Sequence, residues 1–253
     1  MRLLLIRHGE PDYSIDSLTP KGWREAKLLA NRFSPEQDID LYVSPLGRAR
    51  DTVSPTEEKL GKKAVVLPWL AEFRGKIDHP DFQNKDMPWD ISPKTWTADP
   101  LLFDRERWVT GKLMADSNVP EIWEETKAGI DALLASYGYF REGPIYRTER
   151  NTEKTLALFC HFGIAAAICG YLMGVSPINL WHGMVMLPTS VTSFVTEERY
   201  QGEVWLRCFG FGDVSHLYEA GEPLSPAALF PEKYTEKNKG QVFEHLPERG
   251  TWY

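Results

Sequence analysis

Short apolar runs alternate with longer amphipathic stretches along most of the 253-residue chain. The short runs suit buried strands, and stretches with apolar positions three or four residues apart indicate helices. The pattern predicts strands at about residues 2–6, 40–44, 64–67, 156–160, 191–197 and 203–209. It predicts helices near residues 20–33, 47–60, 120–138 and 163–174. This alternation indicates the α/β class, as a three-layer sandwich with a mostly parallel central sheet flanked by helices.

Three segments add to this regular pattern. The last two predicted strands are joined by residues 198–202 only, which predicts a hairpin at a sheet edge. Residues 73–119 are polar, contain prolines and carry three tryptophans. They are interpreted as an inserted lid-like segment that covers a ligand-binding pocket. The alternative is an insertion that packs on its own side chains and touches no substrate.

The chain end is predicted to form an arm at about residues 221–253. This stretch contains four prolines but also several aromatic rings, which a solvated tail would leave without packing partners. The arm either covers its own domain or crosses to a second copy in a homodimer, and the sequence leaves both open. With 42% hydrophobic residues, the chain is long enough for one large core, so a single domain is expected over residues 1–253.

Side chains capable of chemistry follow two of the predicted strands directly. Arg7 and His8 come after the first apolar run, and His161 comes after the run that ends at Cys160. A third predicted strand turns into a helix that carries Arg48 in its first turn. Because ligands of open α/β sheets bind beyond the carboxyl ends of the strands, these side chains are predicted to share one crevice.

Two guanidinium groups and two imidazoles, at the start of helices with unpaired N–H groups, suit a doubly charged oxyanion such as a phosphate monoester. Phosphoryl transfer needs a nucleophile, an acid for the leaving group and cations around the phosphoryl oxygens. The sequence lacks the motifs of other phosphoryl-transfer and acyl-transfer enzymes, since it has no Walker loop, no G-x-S-x-G elbow and no C-x-x-x-x-x-R loop.

Several sequence elements follow one another along the chain, namely Arg7-His8-Gly9, Leu18-Thr19-Pro20-Lys21-Gly22 followed by Glu25-Ala26, Ser44-x-x-x-Arg48-Ala49-x-x-Thr52, Leu70-x-Glu72 and His161-x-Gly163. In this order they resemble the histidine phosphatase superfamily, which contains the cofactor-dependent phosphoglycerate mutases and many phosphatases. The matching pieces span roughly residues 2–75 and 155–175. Several matches in the family's order are far more specific than one Arg-His-Gly triplet.

The resemblance implies a role for five side chains. His8 would be the nucleophile and would carry the phosphoryl group as a phosphohistidine, which water then hydrolyses. Arg7, Arg48 and His161 would bind the phosphoryl oxygens, so that His161 counts among both the catalytic and the phosphate-binding residues. Glu72 would protonate the leaving alkoxide and later accept a proton from water, which requires a raised pKa.

Some assignments stay open. Glu10 and Asp78 are alternatives to Glu72 as the acid, and residues 213–217 are a further candidate for the substrate mouth. The other histidines show no metal-ligand spacing such as H-E-x-x-H and are interpreted as loop or hydrogen-bonded residues. They are His79, His182, His216 and His245.

The predicted function is metal-independent hydrolysis of a small-molecule phosphate monoester. No cofactor is expected, because the arginines and His161 already supply the positive charge that a metal ion would provide. One alternative is a cofactor-dependent phosphoglycerate mutase, whose additional basic and tyrosine residues in the mid-chain insertion find no match here. Another is a non-catalytic protein that binds a phosphorylated ligand.

Composition limits the expected partners. The formal net charge is −7 and no basic stripe is present, so a small phosphorylated metabolite is expected as the partner and a nucleic acid is not. No membrane partner is expected, because no run reaches the length of a membrane span. The first apolar stretch also lacks signal-peptide features, which predicts a cytoplasmic protein. The three cysteines lie in apolar sequence and are expected to be reduced.

Overall fold

The computed structural model describes residues 1–81, 85–227 and 229. Its strands are β1 (Arg2–Arg7), β2 (Pro11–Asp12), β3 (Ser17–Leu18), β4 (Ile39–Val43), β5 (Val65–Val66), β6 (Ile77–Asp78), β7 (Lys85–Asp86), β8 (Tyr139–Glu142), β9 (Ile145–Thr148), β10 (Thr155–Cys160), β11 (Val191–Tyr200) and β12 (Glu203–Asp213). Its α-helices are α1 (Pro20–Ala30), α2 (Gly47–Leu60), α3 (Pro93–Trp96), α4 (Lys112–Ala115), α5 (Val119–Ser136), α6 (Phe162–Met173), α7 (Pro177–Gly183) and α8 (Ser215–Glu219).

One sheet of eight strands forms the centre of the described part of the chain, in the order β5-β4-β10-β1-β11-β12-β9-β8. β5, β4, β10 and β1 are parallel neighbours, and every later pairing is antiparallel. As a result β12 and β8 point the same way as the first four strands, and β11 and β9 point the other way. The α/β class and the mostly parallel sheet are therefore confirmed.

The two faces of the sheet are covered by different helices. Along β10, Leu156 and Leu158 pack into a core cluster with residues of α5 and α6, whereas Ala157 and Phe159 pack into a second cluster with residues of α1 and α2. A strand that is buried on both faces has a continuous run of apolar residues, because its successive side chains point to opposite faces of the sheet. The layers are thus helix, sheet and helix, as predicted.

Glycines in the left-handed region end two of the predicted helices. Gly61 has φ 61° after α2 and Gly174 has φ 71° after α6, a conformation that costs glycine nothing. Thr19 begins α1 by accepting a hydrogen bond from the Gly22 N–H at 3.0 Å. No helix of the described residues is long and apolar enough to cross a membrane.

The predicted hairpin of β11 and β12 is present, but its position at the sheet edge is wrong. A second hairpin, β8 and β9, pairs with β12 and forms that end of the sheet. Its strands have four residues each and include several charged side chains, so they carry no apolar run. Tyr139 on β8 and Tyr146 on β9 are nevertheless buried in the core. Burial of these two side chains fixes the register of the hairpin, because a shift by one residue would expose them.

The segment 73–119 packs on the domain, apart from residues 82–84, which lie outside the described residues. Its large buried apolar side chains belong to the same core cluster as those of α5 and α6. They are Phe73, Ile77, Trp89, Ile91, Leu102, Trp108, Met114 and Val119. The segment is therefore an extension of the main core rather than a unit packed only on itself, and its role as a lid stays a prediction.

The first residues of the predicted arm lie against the domain. Glu222 forms ion pairs with Lys21 at 3.2 Å and with Arg24 at 2.9 Å, both on α1. Ser225 is buried and donates a hydrogen bond to Glu10 at 2.7 Å. Residue 228 and residues 230–253, which include the remainder of the arm, lie outside the described residues.

Truncation of a tryptophan in segment 73–119 tests whether the chain folds as one domain. Trp108 is fully buried, with its ring centroid 5.4 Å from that of Trp123 and 5.5 Å from that of Trp181. We expect Trp108→Ala to lower the free energy of unfolding by about 3–5 kcal/mol in one cooperative urea transition. Phe103→Ala, at a ring that is 42% exposed, is the control and should cost less than about 1 kcal/mol. A separate transition, or an equally small loss for Trp108→Ala, would contradict a shared core.

Candidate active site

The register of three parallel strands brings their ends to one level. Arg7 is paired with Cys160, and the next residues continue the ladder, since the His8 N–H donates to the Cys160 carbonyl at 2.9 Å. On the other side of β10, the Ser44 N–H donates to the Phe159 carbonyl at 2.9 Å. The first residues after β1, β10 and β4 therefore lie side by side at the carboxyl edge of the sheet.

The His8 imidazole is almost fully buried, with 2% of its surface exposed. Its Nδ1 lies 2.7 Å from the Gly9 carbonyl oxygen, which can only accept a hydrogen bond, so Nδ1 carries the hydrogen. Nε2 is then the nitrogen with the free lone pair. Burial, reinforced by the positive charges of Arg7 and Arg48, holds the pKa of His8 well below its ordinary value and keeps the ring neutral.

His161 lies next to His8 and is fully buried, with ring centroids 5.1 Å apart. It is the residue before α6, and its Nε2 lies 2.7 Å from the Ser44 hydroxyl. Its Nδ1 is buried and has no partner among the residues that the structure describes. Burial first, then His8, Arg48 and Arg7, lower the pKa of His161 well below its ordinary value, so this ring is neutral as well.

The Arg7 guanidinium is held by main-chain carbonyl groups. Its Nη1 donates to Met186 at 2.6 Å and to Ala227 at 3.3 Å. Its Nε is buried and has no partner within the described ranges. Burial lowers the pKa of Arg7 from its ordinary value, although the nearby Tyr13 and Glu72 oppose this shift. The group keeps its charge, because an arginine pKa starts far above neutrality.

Arg48 is anchored by a carboxylate that the sequence analysis did not identify. Asp16 accepts a hydrogen bond from Arg48 Nη1 at 2.5 Å and another from the Gly47 N–H at 2.7 Å, at the start of α2. Although burial works in the opposite direction, these hydrogen bonds lower the pKa of Asp16. The Tyr13 ring lies 5.4 Å from the guanidinium. Arg48 Nε is buried and finds no partner in the described part of the chain.

Glu72 follows a short 3₁₀ helix, Pro68–Leu70, and reaches the first turn of α6. Its Oε1 accepts hydrogen bonds from the Phe73 N–H at 2.7 Å and the Ile164 N–H at 3.0 Å. Burial raises the pKa of Glu72, although these N–H groups and Arg7 oppose the shift. A carboxyl group with a raised pKa can hold a proton nearer to neutral pH.

Gly163 is required where segment 73–119 meets this carboxylate. A Cβ atom there would lie 2.4 Å from the Trp89 ring and 2.7 Å from Glu72 Oε1, both too close. The Trp89 ring also meets the Phe162 ring edge-on, with centroids 6.2 Å apart. Segment 73–119 therefore reaches the residues that follow His161.

The alternative acids have other contacts. Both carboxylate oxygens of Glu10 accept hydrogen bonds, from Thr19 at 2.8 Å and from Ser225 at 2.7 Å. Asp78 is exposed on β6. A carboxylate that the sequence analysis missed is Asp90, which follows Trp89 and has φ 67°. Burial, with Asp86, raises the pKa of Asp90 to about 6 against the influence of Arg7, and no sequence motif indicated this residue.

The segment 213–217 contacts Thr189, which in turn holds the main chain of His8. Thr189 donates its N–H to the His8 carbonyl at 3.1 Å and has φ 57°, which is strained for a β-branched residue. His216 Nε2 lies 3.1 Å from the Thr189 hydroxyl, and Arg32 approaches His216 Nδ1 at 3.5 Å. Burial, together with Arg32, lowers the pKa of His216 to about 4, although Asp213 opposes this.

Two other histidines are structural in their contacts. His79 Nε2 lies 3.3 Å from the Trp89 carbonyl, and the His182 ring is stacked on Trp96 with centroids 4.9 Å apart. His245 lies outside the described residues. The five sequence-predicted side chains are thus brought together, since Arg7 interacts electrostatically with His8, His161 and Glu72, and Arg48 interacts with both histidines. Their catalytic roles stay predictions.

Comparison with known proteins gives a family and several relatives. The family model for the histidine phosphatase superfamily (branch 1) matches residues 3–114. A probable phosphatase of Schizosaccharomyces pombe is 22% identical over 231 residues, which cover 86% of this chain and 95% of that protein. A putative phosphoserine phosphatase 2 of Hydrogenobacter thermophilus is 24% identical over 191 residues, 72% of this chain and 83% of that protein.

Solved structures share the fold at low identity. A mutant phosphoserine phosphatase from Entamoeba histolytica, in complex with phosphoserine, has a TM-score of 0.54 and 18% identity, and the match covers 85% of this chain and 98% of that one. A mycobacterial glucosyl-3-phosphoglycerate phosphatase has a TM-score of 0.52 and 19% identity, with 83% of this chain and 98% of that one covered.

The depressed pKa of His216 predicts how stability depends on pH. An unfolded histidine binds a proton below about pH 6.5, whereas native His216 stays neutral down to about pH 4. The unfolded state therefore binds more protons as the pH falls below about 6.5, and stability falls with it. His216→Gln keeps a donor for Thr189 but does not titrate. We expect its stability loss between pH 7.5 and pH 5, measured by urea denaturation, to be smaller by about 1–2 kcal/mol. Equal losses in the two proteins would contradict the buried neutral state.

Proposed function

Because the chain belongs to the histidine phosphatase superfamily (branch 1), we propose that it hydrolyses the phosphate monoester of a small molecule through a phosphohistidine on His8. The curated relatives described above carry phosphatase names, which supports hydrolysis over a mutase reaction or simple ligand binding. The substrates named for relatives, phosphoserine and glucosyl-3-phosphoglycerate, are starting points for a substrate panel.

The observation that carries the proposal is a set of buried nitrogen atoms without partners around a nucleophile. Arg7 Nε, Arg48 Nε and His161 Nδ1 are buried and unpartnered within the described residues. Each buried donor that is left without an acceptor destabilises the folded protein by about 1–3 kcal/mol. The oxygens of a phosphoryl group would satisfy them. A charged oxygen about 4 Å from each guanidinium would gain about 4 kcal/mol at an effective dielectric constant near 20.

The first chemical step is attack by His8. The lone pair on Nε2 forms a bond to phosphorus while the bond from phosphorus to the ester oxygen breaks. The low pKa of His8 keeps this lone pair available, and the hydrogen bond from Nδ1 to Gly9 fixes the ring. The positive charges of Arg7 and Arg48 offset the negative charge of the phosphoryl oxygens.

Glu72 completes both steps by moving a proton. It gives its proton to the leaving alkoxide in the first step and takes a proton from the attacking water in the second. In the second step the bond from nitrogen to phosphorus breaks and inorganic phosphate leaves, so one water is consumed overall. The raised pKa of Glu72 suits a group that must be protonated before the first step and ionised before the second.

Segment 73–119 would contact the leaving group. Its Trp89 packs on Phe162 and Gly163 beside Glu72, and Asp90 follows directly. Because Glu72 must touch the ester oxygen, the rest of the leaving group would extend toward these residues. The lid hypothesis is kept in this form, with Trp89 and Asp90 as the residues that select the substrate.

Replacement of the nucleophile tests the reaction. We expect wild-type protein to release phosphate from p-nitrophenyl phosphate with a chelator present, and His8→Ala to lower kcat at least about 10³-fold. A panel of phosphoserine, glycerate phosphates and sugar phosphates then ranks natural leaving groups. His182→Ala, at a histidine stacked on Trp96, is the control and should keep near wild-type rates. Equal rates for wild type and His8→Ala would overturn the proposal.

Leaving-group chemistry tests the acid separately. p-Nitrophenolate is a stable anion that leaves without a proton, whereas an alkoxide must be protonated as it leaves. We therefore expect Glu72→Gln to lower kcat/KM for ethyl phosphate about 100-fold or more, and kcat/KM for p-nitrophenyl phosphate less than about tenfold. Glu10→Gln is the comparison, and any loss it causes should be the same for both esters. A leaving-group-dependent loss in Glu10→Gln but not in Glu72→Gln would transfer the role of acid to Glu10.

A further inference from the structure

A buried serine lies behind one of the two site histidines. Ser44 is fully buried at the end of β4, and its hydroxyl lies 2.7 Å from Nε2 of His161. We propose that Ser44 is a positioning residue that fixes His161 in the tautomer with the hydrogen on Nδ1. This inference rests on the proposed function, since it assigns to His161 the form in which it can donate to a bound phosphoryl oxygen.

The hydrogen-bond inventory of the serine hydroxyl determines the direction of this contact. A hydroxyl has one hydrogen to donate and can accept at two positions. The Leu46 N–H donates to Ser44 Oγ at 3.2 Å, which uses one accepting position. Among the described contacts of this hydroxyl, His161 Nε2 is the atom that can accept its hydrogen. If Nε2 donated instead, the hydrogen of this buried hydroxyl would have no acceptor among these contacts, so we assign Ser44 as the donor and Nε2 as the acceptor.

The remaining nitrogen of His161 must then carry the hydrogen. A neutral imidazole has one N–H and one lone pair, and Nε2 uses its lone pair to accept from Ser44. Nδ1 is consequently a donor, and it is the buried nitrogen without a partner in the described part of the chain. It belongs to the ring that lies 5.1 Å from His8.

The tautomer changes what a phosphate ligand meets. With the hydrogen on Nδ1, His161 adds a third donor to those of Arg7 and Arg48 without adding charge. With the hydrogen on Nε2, the lone pair of Nδ1 would face the oxygens of an anion and repel them. Ser44 also opposes the imidazolium form, in which both ring nitrogens donate and the serine hydrogen would lose its acceptor.

The local sequence favours this placement of the hydroxyl. Pro45 follows Ser44, and a residue before proline is kept out of the helical region, so Ser44 continues the extended conformation of β4. Its N–H completes the ladder to Phe159, two residues before His161. The hydroxyl is thus positioned by the same strand pairing that positions the histidine.

The direct test is the protonation pattern of the His161 ring by ¹⁵N NMR, with its signals assigned by their loss in His161→Gln. We expect a hydrogen on Nδ1 and an unprotonated Nε2 in the wild-type protein, with Ser44→Ala shifting the ring toward the other tautomer. A hydrogen on Nε2 in the wild type would overturn the inference. This measurement needs no turnover, so it stays decisive even if no phosphate ester is hydrolysed.

The second test is the affinity for inorganic phosphate measured by calorimetry. Ser44→Ala should raise the Kd for phosphate about tenfold, roughly the contribution of one hydrogen bond, and Ser44→Thr, which keeps the hydroxyl, should restore it to within about threefold of wild type. An unchanged Kd in a folded Ser44→Ala would overturn the inference. If that variant does not fold, an affinity in Ser44→Thr as weak as that expected for Ser44→Ala would do so.

Ser176→Ala is the matched control. Ser176 is also fully buried, accepts from the Ile178 N–H at 3.3 Å and donates to the Leu102 carbonyl at 2.5 Å. Its loss should lower Tm as the loss of Ser44 does, but leave the Kd for phosphate unchanged. A general loss of stability is thereby separated from a change at His161. If phosphate binds with the expected tautomer while no ester is hydrolysed, the proposed function fails and the assignment of Ser44 stands.

Discussion

The structure depends on the pairing of β10 between β1 and β4. This register places His8, His161 and Ser44 at one level, where each follows a buried strand. Because β10 is covered on both faces, the imidazoles beyond these strands are also shielded from water. Shielding keeps both rings neutral in a site that contains two guanidinium groups. Neutral rings, fixed positive charge and exclusion of water then follow from one feature of the sheet.

The two guanidinium groups of this site are held by hydrogen-bond acceptors that leave part of each group unused. Main-chain carbonyls of Met186 and Ala227 accept from one end of Arg7, and Asp16 accepts from one end of Arg48. In both side chains the Nε atom stays without a partner within the described residues. The arginines are therefore held in place before any anion arrives, and little reorganisation is needed when one binds.

The sequence was sufficient for predicting the α/β sandwich. It was also sufficient for predicting that Arg7, His8, Arg48 and His161 lie together, because they follow predicted strands, and the family resemblance added Glu72. It was not sufficient for Asp16, Asp90 and Thr189, which are themselves loop residues with positive φ, a conformation that no periodicity reveals. The short, charged strands β8 and β9 were missed for a related reason, since they lack an apolar run. Contacts formed by irregular backbone depend on the whole fold.

Transfer of the phosphoryl group to His8 can be detected most directly by mass spectrometry. The protein is mixed rapidly with substrate and quenched in alkali, where phosphohistidine survives. We expect a phosphoryl group on the peptide that contains His8, present during turnover and absent in His8→Ala. A phosphoryl group on any other residue, or turnover with no phosphorylated protein at any time point, would contradict it.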